Sequence, residues 1–243
     1  MFKVMILAAG KGERMRPLTD TSPKPLLRAG GKMLIEYHLE KLAHAGFTNV
    51  VINHAYLGNM IETALQDGKR YGIHIHYSPE SLVLETAGGI ANALPLLTNS
   101  DKNQPFAVIN ADIFCDMDFS ILQPILQQMQ SNPGKTLAHL ILVDNPPHHP
   151  EGDFFLHGDT GKLVESARPN CQKLTFSGIG IYHPALFADV PPNQAVKLAP
   201  LLRQAISAEK ATGSHSPGVW LDIGTPERLQ QLDIRLNRSG RHL

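Results

Sequence analysis

The stretch that most constrains the fold runs from Phe2 to Leu27 and reads FKVMILAAGKGERMRPLTDTSPKPLL. Its first part, Phe2 to Leu7, is a short apolar run of the kind that forms a buried strand. The run breaks directly into Ala8-Ala9-Gly10-Lys11-Gly12, where small residues let a ligand approach the backbone N–H groups. A strand that ends in such a loop predicts a phosphate site at its carboxyl end.

Positive charges cluster in and after this loop. Lys11, Arg14 and Arg16 come first, and Lys24 follows between two prolines that stiffen its backbone. Residues 1–28 contain six lysine or arginine residues against two acidic ones, whereas the whole chain has 22 of each sign. The local excess indicates an anionic ligand near this segment. The overall balance gives no reason to expect a nucleic-acid or membrane partner.

The spacing of the loop excludes two common phosphate sites. A P-loop needs a glycine followed by Lys-Ser/Thr, and the dinucleotide fingerprint needs three glycines that open a helix. An ordinary glycine-rich turn with solvated cations is the simplest alternative. However, the run LAAGKGERMRPLT followed by SPKPLL resembles the signature of sugar-phosphate nucleotidyltransferases, which join a nucleoside monophosphate to a sugar 1-phosphate.

The hydrophobic pattern alternates between strands and helices, which predicts parallel strands with right-handed crossovers. Strands are expected at 49–53, 73–77 and 106–110, and helices at 34–45, 57–65 and 89–94. After residue 136 the expected strands are 137–143, 153–157, 162–166 and 174–182, with a hairpin turn at 158–161. A helix at 198–209, a strand at 219–223 and a helix at 225–236 close the chain.

These segments predict an α/β fold in one domain, 1–243. With the resemblance, the expected architecture is Rossmann-like and GT-A-like: a mixed, mainly parallel sheet flanked by helices, with a β-rich acceptor-binding part. Residues 1–118 would form the nucleotide-binding half and residues 119–243 the sugar-phosphate-binding half. The sequence does not predict an oligomeric state.

Other features indicate a cytoplasmic protein without a zinc site. Cys115 and Cys171 are too few for a disulfide scaffold, and the adjacent His148 and His149 lack the further ligands that zinc needs. The apolar run at the N-terminus is too short to span a membrane and has no cleavage-site pattern. The last residues, Arg238 to Leu243, are expected to be disordered.

Two aspartates are candidates for binding a hard cation. Asp112 and Asp222 each follow an apolar strand, and a carboxylate there is costly unless it is paired. Each one alone is also consistent with a strand-end residue that bonds a neighbouring amide. Both match the two magnesium aspartates of the resembled family, which implies Mg²⁺ as the cofactor. Asp116 and Asp118 are not assigned to the metal, because Asp118 is expected to cap a helix that begins at Phe119.

The resemblance also implies the nucleotide and catalytic positions. Arg14 and Lys24 would offset charge on the triphosphate. The nucleotide-binding positions would be Leu7, Ala8, Ala9, Gly10, Lys11, Gly12, Glu80, Gly88 and Asn110. Glu80 is expected to accept a hydrogen bond from uracil N3–H, and Gly88 to lie against the base; the alternative for Glu80 is a solvated loop residue.

The acceptor positions implied by the resemblance are less regular. The sugar phosphate would be bound by Glu165, Gly178, Arg168 and Lys197. This chain has Glu-Ser-Ala-Arg-Pro where the commoner family pattern has Glu-Lys-Pro, so the expected phosphate lysine is missing and Arg168 or Lys197 would replace it.

Further runs along the chain, among them VVINHAYLG, LETAGGI, LVDNPPHHPEGDF and GVWLDIGTPERL, resemble one branch of the family. That branch transfers UMP from UTP to N-acetylmuramic acid 1-phosphate in peptidoglycan recycling. That branch implies UTP and this sugar phosphate as partners, with Lys197 or Arg203 as candidates to meet the lactyl carboxylate of the sugar. The alternatives are a mannose-1-phosphate guanylyltransferase, a glucose-1-phosphate thymidylyltransferase and a non-catalytic nucleotide-sugar sensor.

Overall fold

The computed structural model of the chain describes residues 2–98 and 103–239. Within these residues there are thirteen strands and six α-helices. The strands are β1 Val4–Leu7, β2 Arg28–Ala29, β3 Lys32–Met33, β4 Asn49–His54, β5 His74–Pro79, β6 Phe106–Asn110, β7 Ile113–Cys115, β8 Ala138–Val143, β9 Phe154–His157, β10 Leu163–Val164, β11 Cys171–Tyr182, β12 Ala211–His215 and β13 Trp220–Asp222. The helices are α1 Leu34–His44, α2 Gly58–Leu65, α3 Glu85–Thr98, α4 Leu122–Ser131, α5 Leu198–Ser207 and α6 Pro226–Ser239.

The first half of the chain forms the parallel part of one large sheet. β1 lies between β4 and β6, and β5 lies outside β4, all in parallel. The register places Leu7 of β1 beside Asn53 of β4 and Asn110 of β6. The carboxyl ends of three strands therefore meet on one rim, where ligands of open α/β sheets bind.

The second half extends this sheet in the antiparallel sense. β11 pairs with β6, β8 and β9, and β12 joins β8 in parallel. Together they complete a nine-stranded mixed sheet flanked by helices. The predicted fold class is confirmed, and the predicted turn at 158–161 connects β9 to β10 as a hairpin.

The core lies on both faces of the sheet, because consecutive side chains of a strand point to opposite sides. Val4 and Ile6 of β1 contact the cluster under α1, α2 and α4, whereas Met5 contacts the cluster under α3 and α5. All three side chains are completely buried. A smaller cluster packs α6 against the β2–β3 hairpin.

Several element bounds differ from those expected. The helix expected at 89–94 is α3, which begins at Glu85 and includes Pro95. The strand expected at 162–166 shortens to Leu163–Val164, because the chain leaves the sheet at Glu165. The helix expected to begin at Phe119 starts with a 3₁₀ turn and continues as α4. The sequence did not reveal β12 or the short strands β2, β3 and β7.

Two smaller expectations concern helix ends. Asp118 caps the turn at Phe119 by accepting a hydrogen bond from Ser120 N at 2.9 Å, as predicted. Of the segment expected to be disordered, Arg238 lies in α6 and residues 240–243 lie outside the described part of the chain. No helix in the described ranges is long and apolar enough to cross a bilayer.

Candidate active site

A cavity of about 470 Å³ opens on the rim where β1, β4 and β6 end. Its walls come from residues 7–15, from strand ends and from the start of α3. The predicted site residues that line it are Leu7, Ala8, Ala9, Gly10, Lys11, Gly12, Arg14, Lys24, Glu80, Asn110 and Asp112. One concave site thus collects all the predicted nucleotide and catalytic residues except Gly88.

The loop after β1 packs against Thr19 at Gly12 and has free space beside Gly10. Gly12 has φ of +64°, and a Cβ there would lie 2.9 Å from Thr19 Cγ2. Thr19 Oγ1 also donates a hydrogen bond to Gly12 O at 2.9 Å. By contrast, a Cβ on Gly10 would meet nothing within 4 Å. Thr19 therefore holds the loop at Gly12, and the open position at Gly10 leaves space for a ligand next to the backbone.

Lys24 and Asp112 form an ion pair at the cavity. Lys24 Nζ donates to Asp112 Oδ2 at 2.7 Å, and the two side chains are 9% and 37% exposed. Lys24 belongs to a short 3₁₀ turn that begins after Pro23, and Asp112 follows β6. The rim thus has a nearly buried ammonium group whose charge is balanced by a carboxylate on the sheet.

Asp222 does not itself line the cavity, but strand pairing brings it next to Asp112 from the other end of the chain. The strand β13 pairs with β7 in the antiparallel sense, with Asp222 opposite Ile113. Ile223 N donates a hydrogen bond to Asp112 O at 2.9 Å. The two aspartates are 110 positions apart in sequence, yet adjacent strands bring them together.

Basic side chains surround the carboxylate of Asp222. Arg228 Nη1 donates to Asp222 Oδ2 at 2.6 Å, and His148 Nε2 lies 3.7 Å from the same oxygen. A Cβ on Gly224 would lie 3.0 Å from Asp222 Oδ1 and 3.1 Å from Arg14 Nη2, so these two groups flank one narrow space. Partial burial and the nearby Arg228 lower the pKa of His148.

The two aspartates suit a magnesium ion that takes its remaining ligands from water and substrate phosphate. Oδ2 of each carboxylate is held by a cation, and Oδ1 of each forms no hydrogen bond within the described residues. No set of three or more His, Cys, Asp or Glu side chains in those ranges is arranged to hold a metal ion. Mg²⁺ commonly uses one or two carboxylates together with water and substrate phosphates, so this donor set fits it.

Glu80 is part of a buried network at the end of β4. It is 8% exposed; its Oε1 accepts from Asn53 Nδ2 at 2.7 Å and its Oε2 from Leu84 N at 3.0 Å. Asn53 Oδ1 in turn accepts from Ala8 N at 2.9 Å. Glu80 is therefore not a solvated loop residue. Through Asn53 it orients the start of the loop after β1, and it also lines the cavity.

Gly88 has a different environment from the one predicted. It does not line the cavity, and a Cβ there would lie 2.3 Å from Gln194 O. Ala87 N and Gly88 N both donate to Val196 O, at 2.9 and 3.2 Å, and Val196 N donates to Leu84 O at 3.0 Å. The missing side chain thus permits close packing of two backbone segments outside the cavity, which differs from the position expected beside a base.

A second cavity of about 330 Å³ adjoins the first and shares Glu85, Thr86 and Asn110 with it. The predicted acceptor residue Lys197 lines it. Gly178 has φ of +80°, and a Cβ there would lie 2.7 Å from Asn110 Nδ2. The absence of a side chain at Gly178 therefore leaves room for the side chain of Asn110, which lines both cavities.

Two predicted acceptor residues lie elsewhere. Glu165 is exposed and accepts a hydrogen bond from Ser207 Oγ of α5, and Arg168 is also exposed. Neither lines the two cavities described above. The segment 165–170 turns away because β10 ends at Val164, so these two residues are not retained as phosphate ligands.

Comparison with known proteins agrees with this geometry. A family model described as nucleotidyl transferase matches residues 3–238. The chain belongs to the nucleotidyl transferase family.

The relatives of this nucleotidyltransferase include enzymes with different named substrates. An N-acetylmuramate alpha-1-phosphate uridylyltransferase of Neisseria meningitidis serogroup B is 52% identical over 94% of this chain and 96% of that one. The beta catalytic subunit of a mannose-1-phosphate guanylyltransferase of Danio rerio is 30% identical over 93% of this chain and 62% of that one. A UDP-glucose pyrophosphorylase complexed with UDP-glucose has the same fold, with a TM-score of 0.73 and 20% identity over 98% of this chain and 99% of that one.

Sequence reasoning missed three residues at the nucleotidyltransferase site. Asn53 is the penultimate residue of β4, whose end lies on the rim, so the argument applied to Asp112 would also have found it. Arg228 follows Asp222 by six positions, but nothing local indicates that its guanidinium turns back. Gly224 is recognisable only once Arg14 and Asp222 are placed around it.

Proposed function

We propose that this nucleotidyltransferase transfers UMP from UTP to N-acetylmuramic acid 1-phosphate and releases pyrophosphate, as part of peptidoglycan recycling in the cytoplasm. The likeness at 52% identity to a uridylyltransferase for this sugar supports the choice of donor and acceptor. The proposed reaction is supported by the position of three features. The cationic loop, residues 8–14, and Asp112 line one cavity, and strand pairing brings Asp222 next to Asp112.

The reaction needs no protein nucleophile. The second pKa of a phosphate monoester is about 6, so the sugar phosphate is mainly a dianion at pH 7. One of its oxygens bonds to the α-phosphorus of UTP, the bond from that phosphorus to the bridging oxygen breaks, and the electron pair leaves with pyrophosphate. Positioning and charge neutralisation are the protein's contributions.

The cationic loop provides the charge. Arg14 faces the space beside Asp222 Oδ1, and Lys11 and Lys24 line the same cavity. These groups would neutralise the triphosphate and stabilise charge that develops on the leaving group. Asp112 and Asp222 would hold Mg²⁺ through Oδ1, and the ion would supply further charge neutralisation at the phosphates.

Different parts of the chain would bind the nucleotide and the acceptor. Residues 1–118 would bind UTP, and residues 119–243 would supply most of the acceptor contacts. Glu80 retains acceptor capacity toward the cavity, which suits uracil N3–H and not the unprotonated N3 of cytosine. Glu80→Gln should therefore lower the preference for UTP over CTP.

The decisive experiment measures pyrophosphate release with Mg²⁺, each of four nucleoside triphosphates and a panel of sugar 1-phosphates. We expect turnover with UTP and N-acetylmuramic acid 1-phosphate. Turnover with GTP and mannose 1-phosphate, or with dTTP and glucose 1-phosphate, would replace the proposed substrates. Tight nucleotide binding without pyrophosphate release for any acceptor would indicate a non-catalytic sensor.

A further inference from the structure

The cavity beside the nucleotide site has one cationic side chain. Among the described residues that line it, Lys197 is the one lysine or arginine. Much of the remaining wall is apolar and includes Phe154, Phe176 and Leu202. Asp153 also lines it, but its carboxylate already accepts hydrogen bonds from Phe176 N at 2.8 Å and from His149 Nε2 at 3.0 Å.

The backbone before Lys197 is held in place. Val196 exchanges three hydrogen bonds with the segment Leu84–Gly88, and the absence of a side chain on Gly88 permits this contact. Glu85 and Thr86 in that segment line both cavities. The Lys197 ammonium forms no ion pair within residues 2–98 and 103–239. The backbone thus holds a cationic residue beside the nucleotide site, and neither carboxylate that lines its cavity, Glu85 or Asp153, forms an ion pair with it.

Lys197 is poorly placed to meet the reacting phosphate. That phosphate must approach the α-phosphorus in the first cavity, which Arg14 and Asp112 line and Lys197 does not. The sugar would then extend past Asn110, which lines both cavities, toward Lys197. An anionic group on the sugar, remote from its phosphate, is the chemistry that fits this position.

We propose that Lys197 binds the carboxylate of the lactyl ether on N-acetylmuramic acid 1-phosphate and gives the enzyme its preference for this acceptor. The proposal rests on the function proposed above. The apolar wall suits the lactyl and acetyl methyl groups. Arg203, the other candidate from the sequence, is exposed on α5 and lines neither cavity, so it serves as a matched control.

The test compares Lys197→Met with Arg203→Met on N-acetylmuramic acid 1-phosphate and on N-acetylglucosamine 1-phosphate, which lacks the lactyl group. A charge-assisted hydrogen bond at an exposed lysine predicts about a tenfold loss of kcat/KM on the first acceptor, mainly through KM. The second acceptor should change less than about twofold, and Arg203→Met should leave both unchanged.

Product binding measures the same contact without turnover. Calorimetry should show about tenfold weaker binding of UDP-N-acetylmuramic acid to Lys197→Met and unchanged binding of UDP-N-acetylglucosamine. Equal losses on both sugars would assign Lys197 to a shared group such as the phosphate and overturn the proposal, as would no loss on either. A wild-type enzyme inactive with UTP and both acceptors would overturn the proposed function itself.

Discussion

Replacing Asp112 with asparagine separates a catalytic role from a structural one. The substitution keeps the shape of the side chain and an oxygen that can accept from Lys24 Nζ, now 2.7 Å from Oδ2. It removes the negative charge that is proposed to hold Mg²⁺. Activity and stability should therefore respond by very different amounts.

The stability cost should be small. Lys24 is 9% exposed and loses its ionic partner, but Asp112 is 37% exposed and solvent screens the pair. A loss of about 1 kcal/mol is reasonable for weakening one such hydrogen bond. For a chain of 243 residues this lowers Tm by about 2–4 °C. The loss of charge stabilisation in the transition state should instead lower kcat by roughly 100- to 1000-fold.

The assay combines pyrophosphate release, thermal melting and metal binding. Trp220 is the one tryptophan of the chain and lies two residues before Asp222, so its fluorescence should report Mn²⁺ binding in the presence of UTP. Asp116→Asn is the control, because it makes the same charge change on an exposed residue outside the cavity. If Asp112→Asn retained more than about a tenth of the wild-type kcat, or if the control lost as much, the assigned role would be refuted.

Three further properties can be checked. Burial lowers the pKa of His139 to about 4, below the ordinary 6.5, so the unfolded chain binds the proton first and stability falls as pH drops from 6.5 to 4. Urea unfolding should show a shallower fall for His139→Gln; an identical fall would contradict this. Burial raises the pKa of the Cys115 thiol, so a thiol reagent should label only Cys171 quickly in the folded protein, and two fast thiols would be inconsistent. Gly178→Ala should destabilise by about 1–2 kcal/mol and raise KM for UTP through Asn110, measurable by melting and kinetics; unchanged values would contradict the close approach.

Local patterns were sufficient for the first half of the site. The break from an apolar strand into a glycine-rich loop located the wall of the cavity that is proposed to bind phosphate. The position of Asp112 after another apolar strand placed it on the same rim, because parallel strands end together. Both inferences need only strand direction and side-chain size, which the sequence contains.

The acceptor side depended on information that the sequence does not carry locally. Glu165 and Arg168 were assigned from a family pattern that this chain does not fully match, and β10 ends too early to bring them to the cavity. The family resemblance implies a small residue against the base at Gly88, but here the missing side chain permits packing on Gln194 O. A small residue has the same appearance in sequence whether a ligand or a backbone approaches it.

The second aspartate shows why the site requires long-range structure. Asp222 is at the end of a three-residue strand that has no place in the nine-stranded sheet. That strand pairs with β7, and its first residue, Trp220, donates a hydrogen bond from Nε1 to Ser177 O at 2.8 Å. Since Asp112 precedes β7 and Ser177 belongs to β11, one short strand connects the proposed metal site in the first half to the half that is proposed to bind the acceptor. The separation of the two carboxylates is thus set by strand pairing between distant segments, which a sequence pattern can suggest only through the fold.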